Sequence, residues 1–121
     1  MKFTSLYCII VGLLMLAQWI FFIAAGQVPE LQTEPIRIGF HLAAEVATAL
    51  ALIFSGAALL RKRAWGRSAA MIALGMLLYT VIVSPGYFAQ QGVWALVGMF
   101  ALLLALDLVC LRLLITDTQE R

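Results

Sequence analysis

The sequence predicts an all-α fold: an integral membrane, up-down four-helix transmembrane bundle with both termini cytoplasmic. Three observations lead there. Hydrophobic residues fill 64% of the 121 positions and charged residues 12%, against about 25% charged in an ordinary soluble domain, and mean hydropathy is +1.04. The apolar residues gather into blocks of roughly 20, the length an α-helix needs to cross about 30 Å of hydrocarbon. The connectors between blocks are short, and basic residues concentrate in alternate ones. Residues 1–121 have room for one transmembrane domain and little else.

The first block, LYCIIVGLLMLAQWIFFIAA (6–25), follows Lys2. Its apolar core exceeds the roughly 7–15 residues of a secretory signal, so it reads as a transmembrane helix. The polar loop GQVPELQTEP comes next, and Pro35 at its end suits the first turn of a helix, where the missing N–H costs nothing. The second helix is expected over 36–60 and stops at the basic connector RKRAWGR. The third is expected over 66–84, ended by Pro85-Gly86 because proline removes a backbone donor. After SPGYFAQQG, the fourth is expected over 93–114, followed by a short polar tail. Backbone polar groups in hydrocarbon must be satisfied within the segment, which makes these blocks helices, and short connections make neighbours antiparallel.

Lys2, Arg61, Lys62, Arg63, Arg67, Arg112 and Arg121 fall at one face of such a bundle and Arg37 alone at the other. Positive charge is retained on the cytoplasmic side, which places the loops 26–35 and 85–92 outside. The expected location is a cell membrane, crossed several times, of a bacterial or archaeal plasma-membrane type. Trp19, Tyr87 and Trp94 towards the outer side, and Tyr7 and Trp65 towards the inner, fit interfacial aromatic belts. The basic residues form short clusters beside apolar blocks, so no nucleic-acid partner is expected. Cys8 and Cys110 read as small buried hydrophobes rather than a redox pair.

Ionisable groups within a bilayer cost about 2.5–3.5 kcal/mol each on insertion scales, so those present need a partner or a purpose. This chain places His41 and Glu45 four residues apart in the second helix and Asp107 in the fourth. Counting helix rise from the outer ends puts Glu45 about 12 Å deep, Gln18 about 10 Å deep, and Tyr79 and Thr80 about 6–8 Å deep. All four helices can therefore offer a polar or small group to one layer, Gly98 and Met99 being the fourth helix's share. His41, Glu45, Thr48, Leu52 and Ser55 form one stripe at helical spacing, expected to face the bundle interior among small residues that allow close helix approach.

The expected ligand-binding set is Gln18, His41, Glu45, Thr48, Tyr79, Thr80 and Trp94. The plain alternative is that His41 and Glu45 are an i, i+4 hydrogen-bonded pair that merely makes two polar groups tolerable. For Asp107, a second polar site, the structural account has Arg61, Arg63 or Arg67 reaching inward to it and Ser55 bonding at its level; the other account makes it a second functional carboxylate on a path from Glu45. One His and one Glu supply too few ligands for zinc even with Glu30 and Glu34 nearby, and a single histidine excludes bis-histidine haem, so no metal and no cofactor is expected. Phosphate-cradling loops, GxSxG, HExxH and CxxC are absent from the sequence.

AEVATA (44–49) resembles the small multidrug resistance transporters, four-helix proteins of similar length with one membrane glutamate followed by valine. The likeness covers only those residues; that family keeps its glutamate in the first helix, and its aromatic and glycine pattern is missing elsewhere, so no family is assigned from it.

Three functions follow as expectations. One is a polar pocket in the outer leaflet that binds, and transports as a homodimer, a small amphiphile, a cation or a membrane lipid. Another is an accessory subunit that pairs with a partner membrane protein and has no ligand. The third is a membrane enzyme in which His41 and Glu45 act as base and acid on a lipid or quinone, for which the sequence holds no further support.

Overall fold

A computed structural model describes residues 2–26 and 28–116. The expectations for Arg121 and for the side chains of Glu30 and Tyr87 fall outside the described residues. Five helices follow in order: α1 (Lys2–Ala24), α2 (Glu30–Thr33), α3 (Pro35–Leu60), α4 (Gly66–Gln90) and α5 (Trp94–Thr116). All but α2 are long and apolar enough to cross a membrane. The single turn α2 lies in what the sequence presents as a plain polar loop, folded by amides of residues 31–33 bonding back to the Val28 and Pro29 carbonyls.

The third long helix does not stop at Pro85. It runs through the proline to Gln90, six residues past the expected end at Ser84. Pro85 removes one intrahelical donor, but an apolar surrounding offers the flanking backbone no better partners than the helix itself, so the helix continues. The stop comes at Gly92, which adopts φ 76°. Its amide bonds to Ala89 O at 3.1 Å and the next amide, Val93 N, to Phe88 O at 2.9 Å, a paired C-terminal closure that needs a left-handed residue where glycine has no Cβ to clash. The same closure ends α3, with Lys62 N bonding to Leu59 O and Arg63 N to Ala58 O, and there the left-handed residue is Lys62, φ 55°.

The long helices pack in the order α1, α3, α4, α5, each chiefly against the next. Small residues set the closest contact. A Cβ on Gly12 of α1 would lie 2.7 Å from Ala49 O, and one on Gly56 of α3 would lie 2.8 Å from Ser5 O, so these two backbones touch where both glycines sit. The core, including Tyr7, Cys8, Leu52, Leu74, Leu77, Cys110 and Leu114, fills the half of the bundle nearer the α3–α4 connector. Buried positions of α1 end at Gly12, and those of α5 begin at Phe100. Val81 and Phe100 carry the core on towards the other end, where the four long helices enclose open space.

The inner-end expectations for Asp107 are corrected. Its side chain is wholly buried, and neither carboxyl oxygen has a hydrogen-bond partner among the described residues. Arg67 donates from Nη2 to Leu114 O and Ile115 O instead. The free carbonyls at the end of α5 are within its reach and take up Nη2, while Nη1 is buried with no hydrogen-bond partner among the described residues. Ser55 donates to Leu52 O in its own helix at 3.2 Å. Tyr7, Cys8 and Cys110 are buried in the core at the same end of the bundle. Both cysteines are free and buried.

Candidate functional site

The inward stripe of α3 takes the expected positions: Glu45, Thr48, Leu52 and Ser55 are buried, and His41 is partly open. Helical spacing brings them onto one face, and proximity of α4 then supplies their partners. The Thr80 hydroxyl donates to Glu45 Oε1 and so joins α3 to α4. Ser84, one turn further along α4, lies 3.3 Å from Thr80 Oγ1. On the other side, His41 Nε2 is 3.5 Å from the same Glu45 oxygen, and the His41 ring meets the edge of Trp19 on α1 at a centroid distance of 5.7 Å. A continuous chain of side chains, Ser84–Thr80–Glu45–His41–Trp19, thus crosses three helices.

This chain forms one wall of a cavity of about 900 Å³, at the upper end of the roughly 300–1,000 Å³ typical of small-molecule pockets. All four long helices line it. Gln18, Trp19 and Phe22 come from α1, His41 and Glu45 from α3, Thr80, Ser84 and Phe88 from α4, and Met99, Phe100 and Leu103 from α5. The α5 side is apolar, and the polar groups stand in a largely apolar wall. Glu34 and Arg37, paired at 3.1 Å, stand at its outer end. At the inner end, the Tyr7 hydroxyl donates to Leu103 O at 2.8 Å and ties α1 to α5 below the cavity lining.

A second, smaller recess lies on the α3–α4 side, bounded by His41, Ala44, Glu45 and Thr48 of α3 and Met76, Tyr79, Thr80 and Val83 of α4. Its volume is about 90 Å³. His41, Glu45, Thr80 and Val83 line both spaces, so the Glu45 carboxyl stands in the partition between them.

Of the seven residues in the expected set, Gln18, His41, Glu45 and Thr80 meet around the large cavity. Thr48 and Tyr79 belong to the small recess. Tyr79 is 71% exposed, because it precedes Thr80 by about 100° around α4 and both cannot face inward. Trp94 is 66% exposed and lines neither space. It sits about 180° around α5 from Leu103, on the face turned away from the bundle. Trp19, Ser84, Glu34 and Arg37 line the cavity without having been expected there. Ser84 carried a readable signal, one turn beyond Thr80, whereas Trp19 looked like one more belt aromatic.

The chain matches the family described as Domain of unknown function (DUF8058) over residues 1–121. No curated protein and no solved structure matches it.

Proposed function

From a chain that belongs, over its full given length, to a family whose description assigns no activity, we propose a membrane protein that binds a small amphiphile in a pocket within the outer leaflet. The observation that carries this reading is the cavity of about 900 Å³ lined by all four long helices, whose largely apolar wall includes Gln18, His41, Glu45 and Thr80. A buried carboxylate within an apolar-walled space is costly unless a partner of opposite charge or a hydrogen-bond donor compensates it. Thr80 and His41 both meet Glu45 at Oε1, and the ligand's polar head adds a partner from the cavity side. Its apolar body lies against Met99, Phe100 and Leu103, and Trp19 and Phe88 add aromatic faces that attract cations.

Inner-end cations support the orientation. Lys2, Arg61, Lys62, Arg63, Arg67 and Arg112 lie at the end marked by the α3–α4 connector and Arg37 at the other, which supports a cavity mouth outside and termini in the cytoplasm of a cell-membrane protein. A membrane-impermeant maleimide on intact cells then labels Gln32→Cys and spares Lys62→Cys; the opposite pattern reverses the assignment.

Binding is tested by fluorescence in a Trp65→Phe, Trp94→Phe background, where Trp19 is the sole tryptophan. 12-Bromododecylamine is expected to quench Trp19 saturably, and Glu45→Gln to abolish saturation while helical content stays the same. Equal, non-saturable quenching in both proteins refutes the pocket.

A further inference from the structure

The small recess on the α3–α4 side is not an extension of the cavity, and its lining has a chemical bias. Glu45 forms its base and Tyr79, largely exposed, its rim. The two threonine hydroxyl hydrogens in its wall are already used, and the Tyr79 hydroxyl, at the far end of a largely exposed side chain, belongs to the rim. Thr48 donates to Ala44 O at 2.8 Å, and Thr80 donates to Glu45. The two threonines therefore present lone pairs to the space, beside a carboxylate. No lysine or arginine lines the recess, and the one histidine, His41, has its Nε2 directed at Glu45. Such a set of acceptors is complementary to a group with donors and no acceptors. An ammonium fits that description, and the Tyr79 ring at the rim favours it further through its negative face.

Size and location narrow the class. About 90 Å³ holds a head group but not the body of an amphiphile. Beside the recess the α3 and α4 surfaces expose apolar side chains, Phe40 one turn before Ala44 and, on the other helix, Ile72 one turn before Met76 and Ile82 one turn after Tyr79. An alkyl tail lying along that surface stays in hydrocarbon while its head enters the recess.

We propose that the groove between α3 and α4 over Glu45 is a lateral site for the ammonium head group of a bilayer amphiphile, so that Glu45 is reached from the lipid as well as from the cavity. This rests on the reading of Glu45 as a ligand-binding carboxyl. The partition of His41, Glu45 and Thr80 then separates two approaches to one anionic group. Movement of those three side chains would join the groove to the cavity.

The test uses the full chain in phosphatidylcholine liposomes and dicyclohexylcarbodiimide, a lipid-soluble reagent that modifies carboxyl groups, with labelling of the Glu45 peptide read by mass spectrometry. Glu45 is expected to be labelled, and stearylamine doped into the bilayer to protect it, whereas tetramethylammonium in the buffer leaves labelling unchanged. Ala44→Leu fills the groove from α3 and should slow labelling about tenfold, the scale of one overpacked contact. Met76→Phe fills it from α4 and keeps the test usable if the first variant does not fold. Absence of labelling in the unaltered protein, or labelling at the unaltered rate in a folded groove-filled variant, overturns the lateral site. Protection by tetramethylammonium also overturns it, since the site is then filled from water. Saturable Trp19 quenching alongside any of these results leaves the cavity reading standing and removes only the groove.

Discussion

The Thr80 hydroxyl donates to Glu45 Oε1, and through that bond the buried carboxyl of α3 is held by α4 rather than by its own helix. His41, the neighbour one turn away in sequence, is the looser partner at 3.5 Å. Thr80→Val is expected to keep the fold and lose about 0.6–1.7 kcal/mol, the range found for hydrogen bonds between membrane helices. Thr80→Ser should retain most of it. Unfolding titrations in mixed micelles measure both, and equal stability of all three proteins shows that the bond contributes nothing.

Close approach of α1 and α3 separates the glycines into two kinds. A Cβ on Gly12 meets Ala49 O and Ile53 Cγ1 at 2.7 Å, while one on Gly75 meets nothing within 4 Å. Gly12→Ala should therefore destabilise the protein by about 1–3 kcal/mol, as overpacking does, whereas Gly75→Ala should be neutral or gain up to about 1 kcal/mol of helix propensity. The same titrations decide it, and the reverse order of the two variants would contradict the packing described.

At the end of α3 a lysine occupies the position where the chain turns left-handed, φ 55° at Lys62. That conformation costs a residue with a Cβ about 1–2 kcal/mol, and glycine avoids the cost. Lys62→Gly is expected to raise thermal stability, with Lys62→Val lowering it. No difference between them would mean that the turn does not hold this geometry in the membrane.

Asp107 is buried with both oxygens unpartnered among the described residues. Leaving a buried polar group unsatisfied costs about 1–3 kcal/mol, and an apolar replacement of similar size removes the cost. Asp107→Leu should thus match or exceed the stability of the unaltered protein. A large loss on that substitution would identify a partner for the carboxyl.

Much of the site was legible from helical periodicity. Spacing alone put Glu45, Thr48, Leu52 and Ser55 on one face of α3, and counting the rise from the helix ends brought Gln18 and Thr80 to the level of Glu45. Rotation about each helix was not legible to the same degree. Tyr79 and Thr80 are neighbours of equal depth, yet α4 turns one towards Glu45 and the other towards the surface. Trp94 was placed at a suitable depth and lies on the outward face of α5. For Asp107 the depth argument found arginines within reach, but free carbonyls at the end of α5 hold Arg67.

The sequence by itself determined the helical class, the approximate lengths of the four long helices and the face of α3 that points inward, because hydropathy and a 3.6-residue period are properties of the chain. Where α4 ends, which residue partners Glu45, and the division of space into a cavity and a groove were decided by tertiary structure. Those features depend on how far neighbouring helices approach and how they are rotated. In this bundle the glycine contact between α1 and α3 sets one such approach and the packing of α3 on α4 another.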